Sequence, residues 1–339
     1  MSQQPVYICE EDVKRLLKWE EVYEAVKVAL LSAASNESFS QPARSFTVAS
    51  PQSGLLLSMP CYLGDYQLSL LSGEKCYRTL ACKLVTAFSL NPTRNPPIPK
   101  ILGNIFLFHP DTGALEAILE ATDITAWRTA CASLVATQCL YFDTRLRHQD
   151  VILSIVGCGV QGRIHSIGMC TTFPFTEIRL WNRTESRATQ LAHELTELAE
   201  QFKNPSIKIT VHSCLESCLD GGDVIVIATS SPRAIIERKH LKDDVHINAI
   251  GAGEVHHAEI HQNVYDAAKV YVDHWEGAKT ELKDLKAEIV GLVGDVLSQK
   301  KPTPRRGITI FQSLETTGYG HSDYELRSLE VAIKIARGR

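Results

Sequence analysis

The sequence predicts an α/β fold with a second, smaller α+β part. Apolar strands and helical segments alternate over the second half of the 339 residues, and a glycine-rich turn joins the first strand of that half to its first helix. Ahead of them, two amphipathic helices lead into a run of short strands, the pattern of a small helix-plus-sheet domain. Composition agrees with a folded chain: 44% hydrophobic and 22% charged residues, with a formal net charge of -4. That balance, without a basic stripe, argues against a nucleic-acid partner. No apolar run reaches the length of a membrane span, and the first residues lack the basic and apolar regions of a secretory signal. Ten cysteines at irregular spacing, with no C-x-x-C pair, read as free thiols of a cytoplasmic protein rather than a disulfide framework or metal site.

In chain order, residues 10–17 and 19–34 have helical periodicity, with Val22, Ala25, Val26, Ala29 and Leu30 on one face and acids near each start. Short strands are expected at 45–49, 54–59 and 80–88. The proline-rich loop 91–99 excludes helix and central strand. P-D-T-G at 110–113 joins two β-like runs as a hairpin. Residues 123–141, rich in alanine and free of proline and glycine, predict a long bridging helix. From about 150 the alternating unit begins, with strands at 151–156, 177–181, 207–211, 224–229, 246–250 and 270–273. Helices cover 184–200 and a short stretch from 213. The unit closes near 305, and the tail returns with a strand and a helix.

The turn after the first of these strands carries Gly157, Gly159 and Gly162 in the spacing G-x-G-x-x-G. Between a strand and a helix this is a dinucleotide-binding fingerprint, and the fold it predicts is Rossmann-like. Gly157 permits the sharp turn, Gly159 lets the backbone approach a pyrophosphate, and Gly162 lets the helix lie close to the sheet. The pyrophosphate then meets the unpaired N–H groups of the helix start, at Val160 and Gln161. Gln161 is expected to touch the cofactor or order the turn. Thr229 and Ser230, after the fourth strand, fall where the sheet opens toward the cofactor.

At the end of the second strand, where an acidic residue would bind the ribose hydroxyls of NAD, the chain reads Asn182, Arg183, Thr184. A guanidinium cannot accept from a 2'-hydroxyl but pairs well with a 2'-phosphate. Asn182 and Thr184 add neutral partners, and Arg187 adds charge one turn on. NADP(H) is therefore the expected cofactor, with NAD(H) the second choice.

Arg44, Lys83 and Arg128 are cations in apolar or small-residue surroundings. Burying such charges without anions is costly, so together they predict a pocket completed by a small carboxylate-bearing substrate. His256, His257 and His261 lack metal-ligand order; they read as a solvated or capping cluster, with a substrate-side role open for the first two, and no metal site is expected.

Several further segments stand out: Q-P-A-R-S at 41–45, Met59-Pro60, A-C-K-L-V-T at 81–86, P-D-T-G-A-L at 110–115 and T-A-W-R-T-A at 125–130. They continue with V-G-C-G-V-Q-G at 156–162, W-N-R-T at 181–184, H-I-N-A-I-G-A at 246–252 and F-Q-S-L at 311–314. By these segments, which cover most of its length, the chain resembles the ornithine cyclodeaminase and mu-crystallin family, the mu-crystallin branch above all. The resemblance implies a homodimer and a Rossmann-like NAD(P)-binding domain, residues 126–309, inserted in an α+β substrate-binding and dimerisation domain, residues 1–125 plus 310–339. It also implies that Arg44, Lys83 and Arg128 hold the substrate carboxylate beside the nicotinamide.

Departures from the family pattern bear on the reaction. Where cyclodeaminases carry G-G-D-x-P-G-K-x-E, this chain reads G-A-G-E-V-H-H-A-E: Gly253 takes the Asp position, Val255 takes the proline position, and Glu259 agrees. Glu254 is one backbone position away, a displacement beyond the roughly 0.5 Å tolerance of a working site. After F-Q-S-L the chain reads E-T-T-G-Y-G in place of a glycine and an acidic pair. The expectation is therefore an NADPH-dependent reductase transferring hydride to the C=N carbon of small imino acids, such as piperideine-2-carboxylate or pyrroline-2-carboxylate. Arg44 and Arg128 would clamp the carboxylate and Lys83 would donate a hydrogen bond or proton. The alternatives are an amino-acid or opine-type dehydrogenase, an ornithine cyclodeaminase with bound NAD, and a non-enzymatic carrier of the thyroid-hormone-binding kind.

Overall fold

The computed structural model describes residues 4–35, 39–42, 45–50, 54–68, 76–144, 150–251, 257–302 and 305–314. The chain splits after Arg128 into two compact units.

The first unit contains β1 (Val6–Ile8), α1 (Glu10–Leu16), α2 (Trp19–Ser35), β2 (Phe39–Ser40), β3 (Ser45–Ser50), β4 (Gly54–Tyr66), β5 (Tyr77–Phe88), β6 (Ile101–Phe108) and β7 (Leu115–Glu120). Their seven-stranded sheet runs β1-β7-β6-β5-β4-β2, with β3 also on β4. It is antiparallel except where β1 meets β7. One face is buried at alternate residues, Leu57, Met59, Cys61 and Leu63 on β4 and Ala81, Lys83 and Val85 on β5. The stripe Val22, Ala25, Val26, Ala29, Leu30 and Ala33 of α2 is buried as its spacing predicts. Each such leucine- or valine-sized side chain taken from water contributes on the order of 2 kcal/mol. The expected hairpin is present: Gly113 adopts φ +69° and His109 N–H bonds Ala114 O at 2.8 Å, joining β6 to β7.

Next comes α3 (Thr122–Thr137), whose first turn is capped by a residue far away in sequence. The Glu10 carboxylate accepts from Asp123 N–H at 2.6 Å and from Thr122 N–H at 3.2 Å. The bridging helix predicted to 141 stops as α-helix at Thr137 and continues as a π-helical turn, Gln138–Phe142. There the rings of Phe142 and Phe173 stack at 4.4 Å, a tertiary contact that residue propensity does not register.

The second unit holds β8 (Ile152–Val156), α4 (Val160–Thr172), β9 (Glu177–Trp181), α5 (Glu185–Leu198), β10 (Lys208–Val211), α6 (Leu215–Leu219), β11 (Val224–Ile227), β12 (His246–Ala249), α7 (Gln262–Tyr265), β13 (Ala268–Val272), α8 (Trp275–Glu281), β14 (Ile289–Leu292), α9 (Val293–Leu297) and β15 (Ile308–Gln312). All eight strands are parallel, in the order β10-β9-β8-β11-β12-β15-β13-β14. The chain winds outward from β8 in both directions, so β8 and β11 flank the point where strand order reverses. β11 is buried at every residue and β15 likewise, as a parallel sheet covered on both faces requires.

The domain boundary drawn at 310 cuts through β15. Residues 308–312 pair with both β12 and β13, so 310–312 belong to the parallel sheet and to the second unit. The apolar run I-T-I-F could not disclose that partner, because a tail strand fits either sheet until its neighbours are known. The helix expected in the tail lies outside the described residues. β14, α7, α8 and α9 are short and carry little periodicity of their own, so no local pattern predicts them.

Candidate active site

Local sterics explain the glycine turn. Gly157 leaves β8 at φ +101°, and a Cβ there would lie 2.5 Å from Ala228 O. A Cβ on Gly162 would lie 1.8 Å from Gly157 O, so α4 packs as closely as it does only because that side chain is absent. Gly159 is the N-cap of α4, exposed, with nothing within 4 Å of where a Cβ would stand. No side-chain cap bond is made at the start of α4 among the described residues, which leaves its first N–H groups available beside this open cradle. Val160 is exposed, and Gln161 holds a buried Oε1 without a hydrogen-bond partner among the described residues. An open backbone cradle beside the uncapped N–H donors of a helix start fits a bound dinucleotide pyrophosphate.

At the end of β9 the predicted cofactor residues separate into two kinds. Asn182 is engaged within the protein: its Oδ1 accepts from Cys158 N–H at 3.0 Å and its Nδ2 donates to Thr184 O at 2.8 Å. It braces the glycine turn to the start of α5. Arg183, Thr184 and Arg187 are exposed at that same end, with Thr184 as the N-cap of α5. Burial pushes the Cys158 thiol up to about 12, so the cysteine inside the turn stays neutral.

Beyond β11, Ser230 is exposed while Thr229 is tied inward. Its N–H donates to Glu259 Oε1 at 3.1 Å, and its hydroxyl bonds the same oxygen. Glu259 is 4% exposed, and desolvation raises its carboxyl to about 7. Sequence reading registered Glu259 only as the agreeing end of an altered motif; an acid inside A-E-I, between apolar neighbours, was the available signal. His261 caps α7 by accepting from Asn263 N–H at 3.2 Å, while His257 is half-buried with its ring edge-on to Tyr265. Gly253, Glu254, Val255 and His256 lie outside the described residues. Among the described residues no group of three or more His, Cys, Asp or Glu is placed to hold a metal ion.

The cations belong to the first unit. Lys83 sits in mid-strand on the buried face of β5, opposite Met59 and Ile105, and is 1% exposed. Its Nζ donates to Thr125 Oγ1 at 2.9 Å, and that hydroxyl donates to Ala121 O at 2.6 Å. Thr125 precedes Arg128 by one turn of α3, and Arg128 is fully buried. Lys83 and Arg128, 45 positions apart in the numbering, therefore converge on one turn of one helix. Stacking of Trp19 on Trp127, at 4.2 Å between ring centroids, holds α2 against that turn. Arg44 lies outside the described residues; Ser45, next to it, pairs with Ser58, which pairs with Leu84 beside Lys83. Thr125 was missed as a site residue, although its i, i+3 spacing from Arg128 in T-A-W-R was legible.

A model of the ornithine cyclodeaminase/mu-crystallin family matches residues 3–318. The chain belongs to that family. Among curated proteins it is 30% identical to the ketimine reductase mu-crystallin of Macropus fuliginosus over 321 residues, 93% of each chain, and 29% identical to that of Mus musculus over the same share. Among solved structures it is similar to an archaeal alanine dehydrogenase dimer with bound NAD, with TM-score 0.82, 21% identity and 98% and 96% of the two chains covered. It is also similar to the Thermococcus litoralis Delta(1)-pyrroline-2-carboxylate reductase in complex with NADH and L-proline, with TM-score 0.79, 24% identity and 98% of each chain covered. At these identities the solved structures bear on the fold: members of the family share an α/β architecture with a Rossmann-like parallel sheet, as here.

Proposed function

We propose that the chain is an NADPH-dependent reductase of small imino acids, with cyclic ketimines such as piperideine-2-carboxylate or pyrroline-2-carboxylate as substrates. The observation that carries this reading is the convergence of buried Lys83 and Arg128 on one turn of α3, in a chain whose other unit holds a dinucleotide-type glycine turn. Two buried cationic residues that meet at one turn of α3 suit a site for an anionic ligand, and a carboxylate matches the guanidinium fork of Arg128. Relatives named as ketimine and pyrroline-2-carboxylate reductases support the same reaction class.

In this reading Arg128 and Arg44 bind the substrate carboxylate and orient the imine carbon. Lys83 is held by Thr125, whose own proton is committed to Ala121 O, so the ammonium donates through a fixed geometry. It delivers a proton to the imine nitrogen as C=N becomes CH–NH. The nicotinamide cofactor, when bound, supplies the hydride. The residues of the glycine turn, Gly157, Gly159, Val160 and Gln161, hold the pyrophosphate through backbone donors, with Thr229 and Ser230 beside them. Exposed Arg183 and Thr184 favour a 2'-phosphate, hence NADP(H) over NAD(H), while Asn182 acts by bracing the turn.

The second face of the antiparallel sheet favours a homodimer. Pro60, Cys82, Phe106 and Ile118 line up across four strands on that face, the first exposed and the other three half-buried. A second copy of the chain is the occupant we assign to it. All ten cysteines are free, which fits a reducing cytoplasm, and among the described residues no helix is long and apolar enough to cross a membrane. Mixing the protein with NADPH and piperideine-2-carboxylate or pyrroline-2-carboxylate should give substrate-dependent loss of absorbance at about 340 nm, the reduced nicotinamide band. Ammonia release from ornithine without net change in the cofactor would overturn the assignment in favour of cyclodeamination.

A further inference from the structure

Glu259 joins pieces of backbone that no other described residue joins in this way. Its main-chain carbonyl accepts from Ile235 N–H at 2.8 Å and from Ile236 N–H at 3.0 Å. Its carboxylate oxygen Oε1 accepts from the N–H and the hydroxyl of Thr229. One residue thus fastens both ends of the segment 229–236, which leaves the carboxyl end of β11. Within that segment Ser231 N–H donates back to Thr229 Oγ1 at 3.1 Å, so the Thr229 hydroxyl has its rotamer set from both sides.

That rotamer matters for the glycine turn. It places Thr229 Cγ2 at 2.9 Å from where a Cβ on Gly157 would stand, next to Ala228 O. The threonine methyl forms part of the wall that confines the turn. Neighbouring backbone also makes room for the carboxylate: a Cβ on Gly251, just past β12, would fall 1.4 Å from Glu259 Oε2. A buried carboxyl is a costly way to fill space, since an apolar side chain would do so without desolvation. Acceptance from Thr229 is a role that an apolar side chain cannot supply.

We propose that Glu259 is a positioning residue for the dinucleotide, holding the 229–236 segment and the methyl of Thr229 in the arrangement that shapes the glycine turn. The inference rests on the dinucleotide reading of that turn. Glu259 itself need not touch the cofactor.

The test is NADPH binding, followed by nucleotide fluorescence on the full-length protein well below the melting temperature of each variant. Glu259→Leu removes the acceptor and should raise the NADPH Kd roughly tenfold or more, the worth of a lost hydrogen bond to a charged or buried acceptor. Glu259→Gln keeps an amide oxygen for Thr229 and should stay within about threefold of the unmodified protein. Thr229→Val keeps the methyl and loses the hydroxyl, and should weaken binding by an intermediate factor. Because both changes break one linkage, the double variant Glu259→Leu, Thr229→Val should bind no more weakly than Glu259→Leu alone. A residue that merely supports the fold would lower the melting temperature and leave the Kd of the folded protein unchanged, and that result overturns the inference. So does full multiplicativity of the two effects. Should Glu259→Leu fail to fold, Thr229→Val carries the test, since its hydroxyl must then matter for Kd in the Glu259→Gln background too. Failure of the unmodified protein to bind NADPH or NADH overturns the dinucleotide reading and this inference together. Binding by the unmodified protein with an indifferent Glu259→Leu removes this inference alone.

Discussion

The two sheets place their chemistry in opposite ways. In the parallel sheet the functional features sit at the carboxyl ends of strands, after β8, β9 and β11, and consist largely of backbone: an open glycine turn, a bare helix start and a loop tied down by Glu259. In the antiparallel sheet the chemistry is a side chain in mid-strand, Lys83 on the buried face, meeting a helix turn that carries Thr125 and Arg128. Backbone donors tolerate any neighbour that leaves them open, and buried side-chain charges demand one partner geometry; on the function proposed above, the first arrangement would hold the cofactor and the second would choose the substrate.

The largest effect should come from Lys83. Lys83→Ala is expected to lower ketimine reduction roughly 10³-fold, within the range of losing a general acid, while NADPH affinity stays within a few-fold. Steady-state turnover read beside a nucleotide titration checks this; turnover that survives would remove Lys83 from the reacting groups and break the division of labour between the sheets. The mirror image is Gly162→Ala, whose methyl would meet Gly157 O. Overpacking there should cost about 1–3 kcal/mol and abolish tight dinucleotide binding, seen as a lower melting temperature and a flat titration. Smaller still is Arg183→Ala, which should raise the NADPH Kd about tenfold and leave the NADH Kd nearly unchanged, by loss of one charge-assisted contact. Equal loss for both cofactors would show that Arg183 does not read a 2'-phosphate.

The subtlest contrast lies within the parallel unit, where two buried titratable groups pull in opposite directions. Glu259 has its carboxyl raised by burial from an ordinary 4.5 to about 7. The folded state therefore binds its proton more tightly than the unfolded chain does. The stability this contributes is complete below about pH 4.5 and is lost as pH rises through about 7, on the order of 3 kcal/mol in all. His165 is fully buried between Gln161 O and Ser133 Oγ, and burial lowers it from 6.5 to about 4. Its contribution has the reverse sign: present above pH 6.5 and lost as pH falls through about 4. Melting temperatures measured from pH 4.5 to 7.5 should thus lose less on the alkaline side in Glu259→Gln than in the unmodified protein. Parallel curves for the two proteins would mean that Glu259 is already ionised and compensated.

By itself the sequence determined the local and periodic parts of this protein. Residues 151–162 were legible as strand, turn and helix because an apolar run meets the spacing G-x-G-x-x-G, and that pattern is carried within twelve residues. The helices of the first unit and the hairpin at Gly113 were legible for the same reason: each rests on a repeat or a turn residue read over a few positions. Only the tertiary structure decided the pairs that sheet register and helix docking bring together. Lys83 and Thr125 are 42 residues apart, Glu259 and Thr229 are 30 apart, and β15 found its sheet between β12 and β13. No short-range pattern encodes such meetings, because they depend on how whole elements pack, and one residue of slip in a strand would turn Lys83 to the other face.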